Sequence, residues 1–384
     1  MAASPENVTQ LLVDARRLRY SASRTAICEE AVRIADTLGD LKCGFEARLE
    51  LIESAQFGGQ PDPVIVAFAW CLGAYDRHPD KFGTPEIRDQ ILWRYKWVIQ
   101  TLCGYPQFPL AQIDEALADM RARHEAAGHS LQRVFDAERR AALTTGNKPR
   151  AIAAFERMCR EPLDRMSESV ECYHEGKISF YRGVERYAES VAAAEPFVRG
   201  EMNCMSGALW ACAMTLLPLM KLGQVDRAMS YHRQGLPLVD RYPGFRSVVL
   251  YHVDFLTLTD NLDRAVALAD KHVAHLLDEA SPIRQWGVWS TIRLLADRVR
   301  EVRPAPIRLT LPDKHPLKTP DNLVVPTELF AWTDREAREI GARFDARDGN
   351  DYFAQQINEQ AELKAQIVPY PVPSRRSIPG ENES

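Results

Sequence analysis

The side chains best suited to recognition are basic and aromatic residues in helical segments. Trp93, Arg94 and Trp97 lie close together, and Trp286 and Trp289 form a second cluster further along the chain. Trp, Tyr and Arg are the residue types that most often anchor protein interfaces. Packing between helices is the more common use of such clusters, and an exposed patch that contacts a partner is the alternative.

Histidines and cysteines are residues of this chain that could bind a metal ion. His272 and His275 stand one helical turn apart, which allows two imidazoles to bind one metal ion, but no motif supplies a third ligand. They are therefore interpreted as surface histidines. The 8 cysteines are scattered without a C-x-x-C pair, a pattern typical of small buried residues in a reducing compartment. We predict no metal site and no cofactor.

Catalytic motifs are not recognisable in the sequence. It contains no G-x-S-x-G elbow, no phosphate-binding G-x-x-x-x-G-K-[ST] loop and no G-x-G-x-x-G fingerprint. The many carboxylates are interpreted as solvated helix faces. We expect a protein that is not an enzyme, and a divergent helical enzyme with an unrecognised site stays as a third alternative.

Composition and length limit the class of protein. The chain has 384 residues, more than one hydrophobic core normally serves, and a net charge of -5, which argues against a general nucleic-acid binder. No apolar stretch is long enough to cross a membrane, and no signal peptide is evident, so the expected location is the cytoplasm. The large excess of arginine over lysine favours a bacterial origin.

The pattern of apolar residues from about residue 6 to 300 is helical, with spacings of three and four, and predicts an all-α fold. Four segments repeat a polar turn followed by an alanine: Ala151, Ala188, Ala228 and Ala265. Their separations are 37, 40 and 37 residues. A small residue at a fixed place early in a helix allows two helices to cross closely, so we interpret the segments as structural repeats.

The segment GNKPRAIAAF at 146–155 resembles the tetratricopeptide repeat (TPR), in which Gly146, Asn147, Ala151 and Phe155 match favoured residue types. The resemblance covers about residues 108–280. It implies helical hairpins stacked into a right-handed α-solenoid whose concave groove binds extended peptides. The implied function is a non-catalytic scaffold or adaptor that binds a protein or peptide partner.

The groove residues were predicted by counting back from the repeat alanines. The set mixes basic and aromatic side chains, which would suit an acidic or carboxylate-ended peptide. A ligand- or peptide-sensing regulator, with a closed pocket instead of an open groove, is the alternative function. The predicted groove residues are Arg133, Asp136, Arg140, Tyr173, Lys177, Trp210, Lys221 and Asp254.

The C-terminal part of the chain differs in composition. Residues 1–300 are assigned to the solenoid, and the prolines of 301–332 predict an extended linker. A capping box at Thr333 predicts a helical pair over 333–366, and the polar end, 367–384, is predicted to be disordered. The apolar residues of the linker that we expect to pack against the helices are Ile307, Leu309, Leu311, Leu323 and Val325.

Overall fold

The structure is a computed structural model that describes residues 4–204, 206–277 and 281–371. It is 75% helical and confirms the prediction of an all-α protein. Buried apolar side chains form successive clusters along the chain, with the two largest in the N-terminal and C-terminal parts. The core is therefore built up from one set of helices to the next.

In the first part of the chain, most consecutive helices pack directly against one another. These helices are α1 (Pro5–Arg17), α2 (Ala22–Leu38), α3 (Leu41–Gly58), α4 (Asp62–Arg77), α5 (Pro79–Phe82), α6 (Pro85–Cys103), α7 (Leu110–Ala126), α8 (Gln132–Thr144) and α9 (Lys148–Arg160). Helix α8 also contacts α6 and α10, and these three helices position the candidate site.

The second part continues the same pattern and adds a short two-stranded sheet. Its elements are α10 (Val170–Gly183), α11 (Tyr187–Val198), α12 (Gly207–Met214), α13 (Leu216–Lys221), α14 (Val225–Val239), a 3₁₀ helix (Pro243–Val248), α15 (Val249–Leu258), α16 (Leu262–Leu277), α17 (Pro282–Val302), β1 (Ile307–Arg308), β2 (Leu323–Val324), α18 (Pro326–Asp348) and α19 (Tyr352–Ala365). Helix α18 packs along α17, and α19 packs on both.

The turns inside successive helix pairs share one backbone conformation. Gly146, Glu185, Gly223 and Asp260 have φ values of 73°, 62°, 70° and 59°, so each ends a helix in the left-handed region. They are separated by 39, 38 and 37 residues. This regular recurrence of a left-handed turn is the clearest structural sign of repetition in the chain.

A buried small residue follows each of these turns. Ala151, Ala228 and Ala265 are fully buried as the repeat pattern requires, but the equivalent residue in the second unit is Ser190, because Ala188 is exposed. The Ser190 hydroxyl donates to the carbonyl of Ile178 at 3.0 Å. This bond gives the buried hydroxyl a partner where α11 packs on α10. The assignment of Ala188 as a repeat alanine was therefore wrong by two residues.

Gly183 is the cause of that error. Aligning Ala188 with Ala151 sets Gly183 opposite the turn residue Gly146, whereas Gly183 is the last residue of α10. A Cβ at this position would lie 2.9 Å from Cδ2 of Leu143, so glycine leaves room for that side chain where α10 packs on α8. The turn residue itself is Glu185, whose side chain gives no sequence signal for a left-handed conformation.

Replacing Glu185 by glycine tests this register. A non-glycine residue with positive φ costs about 1–2 kcal/mol, so the Glu185→Gly variant is expected to be about 1 kcal/mol more stable than Glu185→Ala. Both variants remove the exposed ion pair with Lys148, so the comparison isolates the backbone conformation. Urea denaturation of the two proteins provides the measurement. Equal free energies of unfolding would contradict the left-handed assignment.

The proline-rich segment forms a short hairpin instead of a simple linker. Strand β1 pairs antiparallel with β2, with Ile307 opposite Val324. Leu323 and Val325 are exposed, contrary to prediction, because side chains alternate along a strand and Val324 is the one that points inward. The linker residues that are buried as predicted are Ile307, Leu309 and Leu311.

The first C-terminal helix begins earlier than its predicted cap. Helix α18 starts at Pro326, a residue suited to the first helical turn, and Thr333 lies inside it. The Thr333 hydroxyl is buried and donates to the carbonyl of Leu329 at 2.8 Å. The interpretation of Thr333 as a capping residue was therefore wrong. Phe344 and Phe353 stack at 4.8 Å where α18 meets α19.

The C-terminal helices also bond to the first part of the chain. Nη1 of Arg347 donates to the carbonyls of Cys103 and Tyr105 at 2.9 and 3.2 Å, and Nδ2 of Asn350 donates to the carbonyl of Thr145 at 2.8 Å. These bonds satisfy carbonyls at or beyond helix C-termini. The chain therefore returns from its C-terminal helices to the ends of α6 and α8.

Part of the predicted disordered tail is attached to the helices. The backbone N–H of Val368 donates to the Leu258 carbonyl at 3.2 Å, and that of Tyr370 donates to the Thr259 carbonyl at 3.0 Å. Residues 367–371 are thus attached by backbone hydrogen bonds to the C-terminal end of α15. The remaining residues of that prediction, 372–384, lie outside the described residues.

Candidate binding site on α8 and α10

Three charged residues on α8 form a compact group. The Asp136 carboxylate accepts from Nη2 of Arg139 at 2.5 Å and from Nε of Arg140 at 2.8 Å. Arg139 is 0% exposed, and its position is fixed by this carboxylate. Gly176 on α10 makes room for the group, since a Cβ there would lie 3.2 Å from Nη2 of Arg139.

Arg140 differs from Arg139 in its exposure. Its side chain is 40% exposed, and Nε is held by Asp136. Among the residues that the structure describes, neither terminal nitrogen of Arg140 has a hydrogen-bond acceptor. Asp136 and Arg139 therefore orient a guanidinium group whose two outer nitrogens remain open to solvent.

A second charged group joins α6, α8 and the segment before α10. Glu168 accepts from Nζ of Lys96 at 2.5 Å and from Nη1 of Arg133 at 2.9 Å. The Arg133 guanidinium lies 3.7 Å from the ring centroid of Trp93, and Nε of Arg133 donates to the Met166 carbonyl. Burial lowers the pKa of Lys96, an effect that Glu168 partly offsets. One carboxylate thus holds two cations near Arg140.

Titratable groups on α10 complete the site. Burial raises the pKa of Glu175 to about 6, and Arg140 opposes that rise. The Cys204 thiol donates to the Glu175 carboxylate at 3.5 Å. The interaction of Cys172 with Cys204 lowers the pKa of the Cys172 thiol. We call the group formed by Asp136, Arg140, Glu168, Cys172 and Glu175 the Arg140 site.

The corrected register explains why Glu175 and Cys172 belong to this site. Counting back from Ser190 instead of Ala188 places Cys172, Glu175 and Ser179 at the positions that Arg133, Asp136 and Arg140 occupy on α8. A two-residue shift rotates a helix face by about 200°. With Ser190 aligned to Ala151, Glu175 could have been identified from the sequence, because it then occupies the position of Asp136.

The same rotation moves two predicted residues away. The Tyr173 hydroxyl bonds to Sγ of Cys159 on α9 at 3.2 Å, and Nζ of Lys177 lies 4.4 Å from the Tyr173 ring. The prediction of Tyr173 and Lys177 as groove residues was therefore wrong, because they lie on the side of α10 that faces α9.

Two further predicted contact residues are enclosed by the chain itself. Arg133 is buried between Glu168 and Trp93, and Asp136 is buried by its two arginines. The prediction that these side chains contact a partner was wrong. Both have a supporting role, since they hold Arg140 and the neighbouring cations in place.

The remaining predicted groove residues have separate surroundings. Trp210 is half-buried against Phe245 at 5.9 Å, and exposed Lys221 donates to the Gln366 side chain at 3.1 Å. Asp254 lines a small cavity of about 50 Å³ together with Arg182. Of the eight predicted residues, the Arg140 site thus gathers Arg140 and Asp136, with Arg133 adjoining.

No family model matches this chain, and no curated protein matches it. Among the described residues, every helix is too short or too polar to cross a membrane. The geometry of the Arg140 site is accordingly the observation from which we argue function.

The tryptophan clusters serve packing. Trp97 is buried against Phe57 at 5.3 Å, and Trp289 is buried against Trp332 at 4.4 Å. The prediction of a surface patch was wrong for both, because an enclosed side chain cannot contact a partner. Their half-buried neighbours also have internal contacts.

Those neighbours also make contacts within the chain. Nη2 of Arg94 bonds to Glu53 at 3.2 Å, and the Trp286 ring lies 4.9 Å from that of Phe353. Trp93, as described above, lies under the Arg133 guanidinium. Interleaved basic and aromatic residues here join neighbouring helices of one chain.

The interpretation of His272 and His275 as surface histidines was wrong for His272 and correct for His275. His272 is buried, and burial lowers its pKa to about 4, so the ring is neutral at physiological pH. His275, one turn away, is exposed. Within residues 4–204, 206–277 and 281–371, no three His, Cys, Asp or Glu side chains are grouped in a way that could hold a metal ion.

Proposed function

We propose that the protein is a non-catalytic scaffold or adaptor that binds a carboxylate group of a partner protein or peptide at Arg140. The observation that carries this proposal is the guanidinium of Arg140, fixed through Nε by Asp136 while both terminal nitrogens stay uncommitted in the described structure. A planar pair of N–H donors matches the two oxygens of a carboxylate.

The surroundings favour an anionic group. Lys96 and Arg133 add positive charge, and they share the single carboxylate of Glu168. Glu175 is another acid near Arg140, and its pKa is raised to about 6. In slightly acidic solution a smaller fraction of Glu175 is therefore ionised than of an ordinary carboxylate. Because Asp136 already orders Arg140, binding requires little further loss of side-chain freedom.

The finer architecture is part of the same proposal. We infer a right-handed, TPR-type solenoid with Arg140 on its concave face, in a bacterial cytoplasmic protein. The recurrence of left-handed turns at Gly146, Glu185, Gly223 and Asp260 supports this view, since stacked helical hairpins require the same turn in each unit. The partner enters as an extended acidic segment.

Peptide binding tests the proposal. The probes are a fluorescent pool of random peptides rich in Asp and Glu with free C-termini, and a matched pool with Asn and Gln and amidated C-termini. We expect the wild-type protein to bind the acidic pool in fluorescence anisotropy. The Arg140→Gln variant is expected to bind at least tenfold more weakly, because a bidentate, charge-assisted contact is lost.

Arg160→Gln provides the matched control. Arg160 lies on α9, its side chain is 75% exposed, and its ion-pair partner is Glu156 at 3.6 Å. This variant loses the same charge and should bind like the wild type. The proposal fails if neither pool binds, if both pools bind equally, or if the Arg140 variant retains full affinity.

A further inference from the structure

A cavity lies between two segments that are far apart in the sequence. Its volume is about 510 Å³. One wall is formed by Leu18, Arg19, Tyr20, Arg24 and Phe57, and the other by Arg241, Tyr242, Gly244 and Phe245. The backbone of Gly244 approaches Phe57 so closely that a Cβ would lie 1.9 Å from the Phe57 carbonyl oxygen. The two walls are therefore in direct contact at the end of α3.

The cavity walls are largely aromatic. The rings of Tyr20 and Phe57 lie 5.1 Å apart, and Phe57 meets Phe245 edge to face at 6.5 Å. Tyr242 completes this lining. Aromatic walls favour flat rings by stacking and edge contacts, and the volume lies within the range of about 300–1,000 Å³ found for small-molecule sites.

Arginines provide the polar part of the cavity. Arg19 and Arg241 are exposed at its rim, and neither guanidinium has a hydrogen bond or ion pair with any other residue that the structure describes. Arg24 is only 7% exposed, and its Nη2 bonds to Glu50 at 2.6 Å. Nε of Arg24 is buried and has no partner within the described residues. A buried N–H without an acceptor is unusual, and a ligand atom would satisfy it.

The nearby acids do not cancel this charge. None of the lining residues is acidic. Glu50, behind the cavity, is shared by Arg16 and Arg24, and Glu53 accepts from the Tyr20 hydroxyl at 2.6 Å. Both carboxylates are thus already occupied. The cavity therefore combines an aromatic interior with an uncompensated positive rim.

We propose that this cavity binds a small organic anion in which a flat aromatic ring carries a phosphate or a carboxylate. The ring lies among the aromatic walls, and the anionic group bonds to Arg19 and Arg241. Because the walls belong to the N-terminal helices and to the segment after α14, the bound anion joins these two parts of the fold. This inference goes beyond the proposed function and does not depend on Arg140.

Calorimetric titration with defined probes tests the inference. Adenosine 5′-monophosphate represents ring phosphates, and indole-3-acetate represents ring carboxylates. Adenosine, indole, inorganic phosphate and acetate supply the ring or the charge alone. We expect at least one of the two ring-bearing anions to bind, and its separate parts to bind at least tenfold more weakly. Which anion binds identifies the class of ligand.

Variants at the rim decide whether binding occurs in this cavity. The double variant Arg19→Gln/Arg241→Gln is expected to lose at least tenfold in affinity. Arg17→Gln is the matched control, because Arg17 is two residues from Arg19, highly exposed and paired with Asp14 at 3.2 Å. Thermal melting curves without ligand check that each variant is folded.

Three results would overturn the inference: neither anion binds, the ring or charge alone binds as tightly, or the double variant keeps full affinity. The Arg140→Gln protein is expected to bind the anion like the wild type. If the protein binds the anion but no acidic peptide, only the proposed function fails. If it binds the acidic peptides but no anion, only this inference fails.

Discussion

Replacing Asp136 by asparagine is expected to lower the free energy of unfolding by about 3–5 kcal/mol, the usual cost of removing one partner from a buried ion pair. In the part of the chain that the structure describes, Asp136 is the one carboxylate that bonds to fully buried Arg139. Nη1 of Arg139 already has no partner among the described residues, so the variant leaves a buried cation with still fewer acceptors. Urea denaturation at pH 7 measures the effect.

The same carboxylate predicts a loss of stability in acid. Burial alone would raise the pKa of Asp136, but Arg140 and Arg139 outweigh it and hold the pKa well below its ordinary value. The folded protein therefore keeps this group ionised after the unfolded chain takes up a proton. Its contribution is present above about pH 4 and declines as the pH falls further.

A surface carboxylate serves as the control for Asp136. Glu156 lies on α9, is well exposed and pairs with Arg160. Glu156→Gln should change the free energy of unfolding by less than about 1 kcal/mol, as expected for an exposed ion pair. If Asp136→Asn is no more destabilising than Glu156→Gln, the buried triad does not hold α8 together as described.

Replacing Asp254 by asparagine is expected to stabilise the protein above neutral pH. Burial raises the pKa of Asp254 to about 7, and Oδ1 has no partner among the described residues. The unfolded chain releases this proton near pH 4 and the folded chain near pH 7. Stability of the wild type therefore decreases between these values, by about 4 kcal/mol at most.

Paired pH series provide the measurement for Asp254. The wild type and Asp254→Asn should have similar free energies of unfolding near pH 4 and diverge as the pH rises to about 7, with the variant more stable. Asp313→Asn is the control, since the Asp313 side chain is fully exposed. Parallel curves for the wild type and Asp254→Asn would contradict a buried, protonated Asp254.

Features encoded within one hairpin could be predicted from sequence. Arg140 can be located by counting back from Ala151. Arg140 lies on α8 and Ala151 on α9, and the short turn between these helices contains Gly146, whose left-handed conformation is typical of glycine. The next unit failed because its left-handed residue is Glu185, which has no preference for that conformation. A single wrong turn then placed Tyr173 where Glu175 belongs.

Features that depend on distant contacts could not be predicted. Lys96 and Glu168 are 72 residues apart, and no periodicity links them. The approach of Gly244 to Phe57 likewise joins the 3₁₀ helix after α14 to the C-terminal end of α3. Such contacts are set by how successive helix pairs stack, and local residue preferences carry no information about that stacking.

Photo-crosslinking in cells that make the protein tests the central claim, partner binding at the Arg140 site, most directly. A photoreactive phenylalanine replaces Ser179, the position equivalent to Arg140 in the next unit, or Ile152, which is exposed on α9. We predict a discrete protein adduct from position 179 that disappears when Arg140→Gln is added, and none from position 152. No adduct from position 179, or one that persists without Arg140, would contradict the claim.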